Sequence, residues 1–101
     1  MIVYVSIGNS DDKLTQQEWA RFLAAMWHAL HHAADTTVHG EWHSSPTAAY
    51  QNACWCLEFA HDGNARAFKA QLRHFAATFR QDSIAWAEAP STEFITADVT
   101  P

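Results

Sequence analysis

The residues with the most varied chemistry lie in the middle of the chain, between Thr36 and Phe59. Polar and apolar side chains alternate there in two stretches, which predicts two β-strands with unlike faces. One predicted face carries imidazole, carboxylate, phenol, amide and thiol groups, namely His39, Glu41, His43, Tyr50, Asn52, Cys54 and Cys56. The other carries Val38, Trp42, Trp55, Leu57 and Phe59. We therefore expect the second face to join the core and the first to carry a function.

Ligand binding is the chemistry that these groups support best. Exposed aromatic rings beside amide and imidazole groups can stack a planar ligand and hydrogen-bond its edge. The predicted ligand-binding residues are Tyr4, His39, Tyr50, Asn52, Arg73, Arg80 and Trp86. In this set the rings would stack, the amide and imidazole would hydrogen-bond, and the guanidinium groups would meet phosphate or carboxylate. Burial of the same face by another protein is the alternative, since aromatic patches on small domains usually mark protein contacts.

Metal binding is a weaker possibility. Cys54, Cys56 and His39 share the polar face, and zinc accepts thiolate and imidazole ligands. The cysteines are separated by one residue rather than two, and no clear fourth ligand is present. His28 and His32 lie one helical turn apart but have no glutamate between them to act as a base. We expect surface histidines and reduced thiols here, and we predict no metal and no other cofactor.

A second group of charged residues is predicted at the edge of the sheet where the first strand ends. It combines the turn after strand one, the start of strand four and the end of strand three, with Asp11, Asp12, Arg80, Asp82, Glu58 and His61. Clustered carboxylates can hold Mg²⁺ for phosphodiester chemistry. An ion-pair network that also caps the turn is the alternative, and we favour it because surface ion pairs are common.

Few of the groups that nucleophilic catalysis requires are present in the sequence. Ser44 and Ser45 have histidines in the same hairpin, but a triad needs a base oriented by a third group. The three glycines, at positions 8, 40 and 63, do not form a phosphate or oxyanion loop. No reaction class can be assembled, so we expect binding rather than catalysis and leave enzyme activity open.

Composition narrows the class of protein. The 101 residues suit one domain, and 49% of them are hydrophobic, which is enough for a core. The net charge of −5 argues against a general nucleic-acid binder. Residues 62–80 hold four of the six basic residues and one acidic residue, which leaves two basic and ten acidic residues elsewhere. This uneven distribution can orient an anionic ligand or a self-complementary partner. With no signal peptide or apolar span in view, we expect a cytoplasmic protein without membrane contact.

The predicted strands and helices determine where these functional groups lie. Met1–Ile7 is the first strand, and Thr15 with Glu18 forms a capping box for a helix that runs to about Ala34. Strands follow at about 37–43 and 50–59. Asp62 caps a second helix with an apolar stripe and a basic stripe, and the last strand covers Ser83–Glu88.

The order strand, helix, strand, strand, helix, strand predicts an α+β, ferredoxin-like βαββαβ sandwich. Its sheet has four antiparallel strands, with both helices on one face and strands one and three in the centre. We expect the polar face of the middle strands, with one of Ile84 or Trp86, to remain uncovered. Residues 1–90 form this domain, and 91–101 form a tail that docks on the domain or on a partner through Phe94, Ile95 and Val99.

Several stretches carry a family resemblance: VYVSIGNSDDKLTQQEW, VHGEW, YQNACWC, and FRQDSIAWAEA followed by TEF. Through them the chain resembles a family of short uncharacterised proteins of actinobacterial genomes and their phages. The resemblance covers most of the chain and implies no catalytic residues. It implies a mobile-element context, in which small proteins that block a host factor or sequester a nucleotide signal are expected.

A first strand that runs into an SDDK turn, and a final strand that leads to a tail, are also similar to the Cas2 family of ferredoxin-like dimers. The acidic residue that this family places at the end of strand one is replaced by the Ser6–Gly8 stretch. The resemblance implies a dimer, whereas a nuclease site is in doubt.

Together these observations predict a non-enzymatic homodimeric binding protein, of the kind that phages use as inhibitors. Its partner would be a small anionic or nucleotide ligand, or a host defence protein. The alternatives are a metal-dependent phosphodiesterase that uses Asp11, Asp12 and Asp82, and a pure protein–protein adaptor.

Overall fold

The computed structural model describes residues 1–98. It contains six elements: β1 (Ile2–Gly8), α1 (Gln16–His31), β2 (Thr36–His43), β3 (Asn52–Phe59), α2 (Asp62–Thr78) and β4 (Ala85–Ala89). The strands form one antiparallel sheet in the order β2-β3-β1-β4. The predicted ferredoxin-like sandwich is confirmed, with β1 and β3 in the centre.

The core lies between the helices and one face of the sheet. Alternate residues of the central strands are buried there, because successive side chains of a strand point to opposite faces. From the sheet these are Val3, Val5, Ile7, Ala53, Trp55, Leu57 and Phe59. From the helices they are Trp19, Phe22, Met26, Ala29, Leu30, Ala65, Phe68 and Leu72. Both helices thus contribute to one core cluster on one side of the sheet.

The start of α1 is the local feature that the sequence predicts best. Thr15 Oγ1 accepts a hydrogen bond from the backbone N–H of Glu18 (3.1 Å), and Glu18 Oε1 accepts one from that of Thr15 (3.0 Å). Leu14 and Trp19, which flank this capping box, are both buried. The helix ends at His31, three residues earlier than predicted, and Asp35 then turns the chain with φ of 51°.

Two other boundaries differ from the prediction by a few residues. Asp62 is the first residue of α2 rather than its cap, and His61 precedes the helix without a side-chain hydrogen bond. The last strand begins at Ala85 rather than Ser83, because β4 pairs with β1 only as far as Ser6. Residues 82–83 instead belong to the loop that approaches the turn after β1.

A β-bulge in β2 corrects the predicted pattern of faces. The pairing with β3 shifts register between Val38 and Gly40, so the residues after the bulge change sides. Trp42 was expected in the core but lies on the uncovered face, where it is 52% exposed. Glu41, expected on the uncovered face, lies on the helix side, where its Oε1 accepts a hydrogen bond from Trp55 Nε1 (2.8 Å). His43 changes sides with it.

The tail continues from β4 without packing on the domain in its described part. Phe94 and Ile95 are 84% and 83% exposed, and residues 91–98 are all exposed. Docking of these side chains on their own domain is therefore not observed, and docking on a partner stays a prediction. Val99 lies outside the described residues. Within residues 1–98, no helix has the length and hydropathy that crossing a bilayer requires.

Candidate functional site

The side of the sheet away from the helices is the first candidate surface, and we call it the open sheet face. All four strands contribute to it, with Tyr4, Ser6, Gly40, Trp42, Asn52, Cys54, Cys56, Glu58, Ala85 and Ala87. His39, in the bulge, joins it through Glu58, since its Nε2 lies 2.8 Å from Glu58 Oε1. The strands contain no Lys or Arg. The strands of the open sheet face therefore present aromatic and polar side chains without a lysine or an arginine.

Two aromatic rings dominate this face. Tyr4 is 39% exposed and Trp42 is 52% exposed, and their ring centroids are 6.2 Å apart at an angle of 38°. Gly40 makes room for the indole: a Cβ atom at that position would lie 3.2 Å from Trp42 Cη2. The glycine thus allows the Trp42 ring to lie over its own strand and approach Tyr4.

Small side chains form the floor beside the two rings. Tyr4 is flanked by Ala87 of β4 and by Cys56 of β3, and both cysteines are free thiols. The neighbouring Cys56 side chain raises the pKa of the Tyr4 phenol above its usual value, and partial burial and Cys54 raise it further. Like any tyrosine at neutral pH, Tyr4 keeps its hydroxyl proton and can donate it to a ligand.

A groove between α2 and β4 is the second candidate surface, and we call it the α2–β4 groove. Its volume is about 430 Å³, and it is lined by Lys69, Leu72, Arg73, Ala76, Asp82, Ser83, Ile84 and Trp86. Lys69 Nζ lies 4.8 Å from the centroid of the Trp86 ring and 3.9 Å from Glu88 Oε1. Trp86 also stacks on Phe59, with the ring centroids 5.6 Å apart.

This groove corrects the predicted position of Trp86. We expected Ile84 or Trp86 on the uncovered face, but both pack against the core on the helix side. Trp86 pairs with Val5, which is fully buried beneath the helices. Arg73 and Trp86 line one groove, on the opposite side of the sheet from Tyr4.

The predicted charged cluster is organised around cations. Lys13 Nζ lies 2.9 Å from Asp82 Oδ1 and 3.5 Å from Asp11 Oδ2. Arg80 Nη2 donates to Glu18 Oε2 (2.7 Å) and to the carbonyl of Lys13 (3.0 Å). The hydrogen bond with Asp82 raises the pKa of Lys13. This arrangement matches the ion-pair alternative, and Arg80 is engaged within the turn.

The rest of the predicted cluster lies elsewhere. Glu58 pairs with Ile2, so it lies at the opposite end of the sheet from Asp11, and His61 follows it there. The prediction was wrong because β3 runs antiparallel to β1, so that the end of one strand lies beside the start of the other. Asp12 has φ of 56° and lines a separate crevice.

Tyr50 lines that crevice, apart from the other two predicted rings, Tyr4 and Trp86. The crevice has a volume of about 540 Å³ between the turn after β1 and the β2–β3 loop, and Asp12, His43, Tyr50 and Asn52 are among its lining residues. Tyr50 belongs to the loop before β3, and Asn52 is shared between the crevice and the open sheet face. The seven predicted residues thus divide between the open sheet face, the α2–β4 groove, the crevice and the Arg80 turn.

Metal ligands do not converge in the part of the chain that the structure describes. Among residues 1–98 no three His, Cys, Asp or Glu side chains are placed to hold a metal ion together. The His28 and His32 rings stack on one another with centroids 4.1 Å apart, and His32 Nδ1 lies 2.8 Å from the His28 carbonyl oxygen.

Sequence reasoning missed two residues of these surfaces, Trp42 and Lys69. Gly40 was the signal for the first, since a glycine inside a strand pattern often marks a bulge. For Lys69 the signal was its place on the basic stripe of α2, but the sequence does not say that β4 lies beside that stripe.

Comparisons with known proteins give matches among solved structures but show no family. No protein-family model matches the chain, and no curated protein matches it. Among solved structures, the NE2512 protein of unknown function from Nitrosomonas europaea is similar, with a TM-score of 0.47 and 15% identity. The match covers 95% of this chain and 94% of the other. The resemblances to actinobacterial and phage proteins and to Cas2 stay predictions.

Proposed function

We propose that this protein is a non-enzymatic binding protein whose open sheet face holds a planar ligand of the nucleotide type. The observation that supports this most is the exposed Tyr4–Trp42 pair beside a floor of small side chains. A base that stacks on an exposed indole gains about 1–3 kcal/mol. The floor of Ala85 and Ala87 lets a flat ring lie close to the sheet.

Hydrogen-bonding groups around the rings provide selectivity. Tyr4 donates from its hydroxyl, and Asn52 offers both a donor and an acceptor. His39 is oriented by Glu58, at 2.8 Å, which leaves its second ring nitrogen for a ligand. These groups suit the polar edge of a nucleobase.

The lack of cations on the open sheet face determines which part of a nucleotide it can bind. The strands carry no Lys or Arg, and the whole chain carries −5. Phosphate contacts need clustered cations. The base and sugar therefore lie on the sheet and the phosphate points to solvent, so a nucleoside binds about as well as its phosphorylated form.

Binding without turnover fits the geometry of the acidic residues. Asp11 and Asp82 both face Lys13 Nζ, at 3.5 and 2.9 Å, where a divalent cation would have to displace the ammonium group. The alternative phosphodiesterase requires that displacement. Hydrolysis of a model phosphodiester that depends on Mg²⁺ or Mn²⁺ and is lost in Asp82→Asn would establish the alternative and overturn the binding role.

In a mobile-element setting such a protein acts as an inhibitor that sequesters a nucleotide signal. Blocking of a host defence protein, or an adaptor role, would use the same face, since exposed aromatic residues are typical anchors of protein interfaces. The binding assay distinguishes these roles, because an adaptor gives a stable complex with a protein and no response to a small ligand.

The test compares two exposed tryptophans. Isothermal titration with nucleobases, nucleosides, nucleotides and cyclic dinucleotides is carried out on the wild type, on Trp42→Ala and on Trp27→Ala. Trp27 is the matched control, since it is 49% exposed on α1, away from the sheet. We expect Trp42→Ala to weaken binding about tenfold or more and Trp27→Ala to leave it unchanged. Absence of binding throughout, or equal loss in both variants, would overturn the proposal.

A further inference from the structure

The tail carries large apolar side chains that nothing in its own domain covers. Phe94 and Ile95 are 84% and 83% exposed, more than any other large hydrophobic residue that the structure describes. They lie between two carboxylates, Glu93 and Asp98, and residues 91–98 contain no Lys or Arg. The tail is therefore an acidic segment with two adjacent apolar side chains, and burying these side chains would be favourable.

The α2–β4 groove has the complementary chemistry. Its walls include Leu72, Ile84 and Trp86, and its cations are Lys69 and Arg73. Within residues 1–98, Arg73 makes no ion pair. The one carboxylate in the lining, Asp82, lies 2.9 Å from Lys13 Nζ and is thereby compensated. Glu88 lies 3.9 Å from Lys69 Nζ and partly compensates that cation. The groove thus offers apolar surface beside the positive charge of Arg73.

The path of the chain favours a groove in another molecule. β4 ends at Ala89, and Pro90 biases the residue before it toward an extended conformation, so the chain continues in the direction of the strand. The groove lies beside the other end of β4, around Ile84 and Trp86. The described part of the tail, residues 91–98, is exposed throughout and does not line its own groove.

We propose that the tail of one copy docks in the α2–β4 groove of a second copy. Phe94 and Ile95 pack against the apolar wall formed by Leu72, Ile84 and Trp86. Glu93 faces the Lys69 and Arg73 cations. A reciprocal exchange of tails closes a two-fold symmetric dimer, in which each copy gives one tail and accepts one.

The area is sufficient for a dimer of modest affinity. A buried phenylalanine covers about 150–250 Å². Two exchanged tails, together with the groove surface that they cover, remove on the order of 1,000 Å² from water, close to the lower limit for specific interfaces. The open sheet face takes no part in this contact, so the dimer and the proposed ligand site can be tested separately.

The first test is the molecular mass of the full chain in solution. Sedimentation velocity across a range of concentrations should show a reversible dimer, at twice 11.3 kDa. Phe94→Ser with Ile95→Ser should give the monomer, and so should Arg73→Glu. Arg66→Glu is the matched control, because it makes the same charge change on α2 outside the groove lining, and it should leave the dimer intact.

A second test identifies the groove as the acceptor. A synthetic peptide of residues 90–98 is titrated into the Phe94→Ser, Ile95→Ser protein while tryptophan emission is recorded. We expect a saturable change that disappears in Trp86→Phe and that Arg73→Glu weakens about tenfold or more. The tail variant still has an intact groove, and the Arg73→Glu variant still has an intact tail. A mixture of the two should therefore form a heterodimer, in which the tail of the Arg73→Glu copy docks in the groove of the other copy.

Several outcomes would overturn the proposal. If the wild-type protein stays monomeric at the highest concentrations, the tails are not exchanged between copies. If the emission of Trp86 in that monomer still depends on the tail, the tail folds back on its own domain. A dimer that survives both the tail and groove variants would use another surface. A dimer that instead breaks in Trp42→Ala would place the interface on the open sheet face.

Discussion

The two sides of β4 differ in chemistry although they belong to one five-residue strand. Ala85 and Ala87 face the open side, where they form a floor beside Tyr4. Trp86 faces the helix side, where Lys69 lies 4.8 Å from the centroid of its ring. One side is small and uncharged, and the other carries an aromatic ring and the Glu88 carboxylate, with Lys69 of α2 beside both. Alternation along a single edge strand therefore creates two unrelated surfaces.

The residues that the sequence predicts to form one nucleotide site lie on different surfaces of the structure. Stacking rings and phosphate-binding arginines would form one nucleotide site if they shared a face. Instead the stacking pair Tyr4 and Trp42 is on one side of the sheet, and Arg73 is on the other. A ligand on the open sheet face therefore meets aromatic groups without cations, whereas a segment in the α2–β4 groove meets both.

The largest expected effect comes from comparing tryptophans on the two sides of the sheet. Trp55 is fully buried and hydrogen-bonded to Glu41, whereas Trp42 is 52% exposed. We expect Trp55→Ala to lower the free energy of unfolding by about 3–5 kcal/mol, the usual cost of emptying an aromatic core site. Trp42→Ala should cost less than about 1 kcal/mol. Chemical denaturation measures both, and equal costs would contradict the assignment of the faces.

A smaller effect should follow from filling the space above Gly40. A new Cβ would lie 3.2 Å from Trp42 Cη2, so Gly40→Ala should push the indole away from Tyr4. The expected change is greater quenching of Trp42 by acrylamide and weaker ligand binding, with a stability change within about 1 kcal/mol. Gly63→Ala is the control, because a Cβ there meets no atom closer than 3.8 Å. Unchanged quenching in Gly40→Ala would contradict the role of this glycine.

The sequence predicts the fold of this protein well because each helix and strand has a recognisable local sequence pattern. The capping box of Thr15 and Glu18 marks the start of α1, and alternation in β1 and β3 marks the core side. These patterns depend on residues close in the chain, and the order of elements leaves few topologies. The ferredoxin-like arrangement follows from them.

The candidate surfaces are harder to predict because they depend on shifts and neighbours that are not local. One extra residue at the bulge moves Trp42 to the open face and Glu41 to the helix side. Trp86 faces the helices because of the register between β4 and β1, which short-range patterns do not determine. Arg80 is positioned by a contact with Glu18, 62 residues earlier in the chain.

The ammonium group of Lys69, which lies over the Trp86 ring, should contribute modestly to the stability of the protein. Lys69→Met keeps most of the side-chain length and removes the charge, and we expect a loss of about 0.5–1 kcal/mol from the cation–π contact. Arg66→Met, on the same helix but outside the groove, should change stability by less. Thermal denaturation in low and high salt measures the difference. Equal effects of the two substitutions would mean that Lys69 does not act through the indole.

The smallest effect is expected where Arg80 contacts Glu18, and it depends on pH. The backbone N–H of Thr15, and then Arg80, hold the pKa of Glu18 below its usual 4.5. The folded state therefore binds the Glu18 proton less readily than the unfolded state does. The stabilisation is complete above about pH 4.5 and is lost as the pH falls through the lowered value.

Glu18→Gln keeps an acceptor for Thr15 but removes the charge. We expect the variant to be less stable than the wild type near pH 7, and the difference between the two to shrink below pH 4.5. Denaturation midpoints measured from pH 3 to 7 provide the test, with Glu93→Gln in the tail as a control that should show no such convergence. A difference that stays constant over this range would mean that Glu18 has the same pKa in the folded and unfolded states, which would contradict the lowering by Thr15 and Arg80.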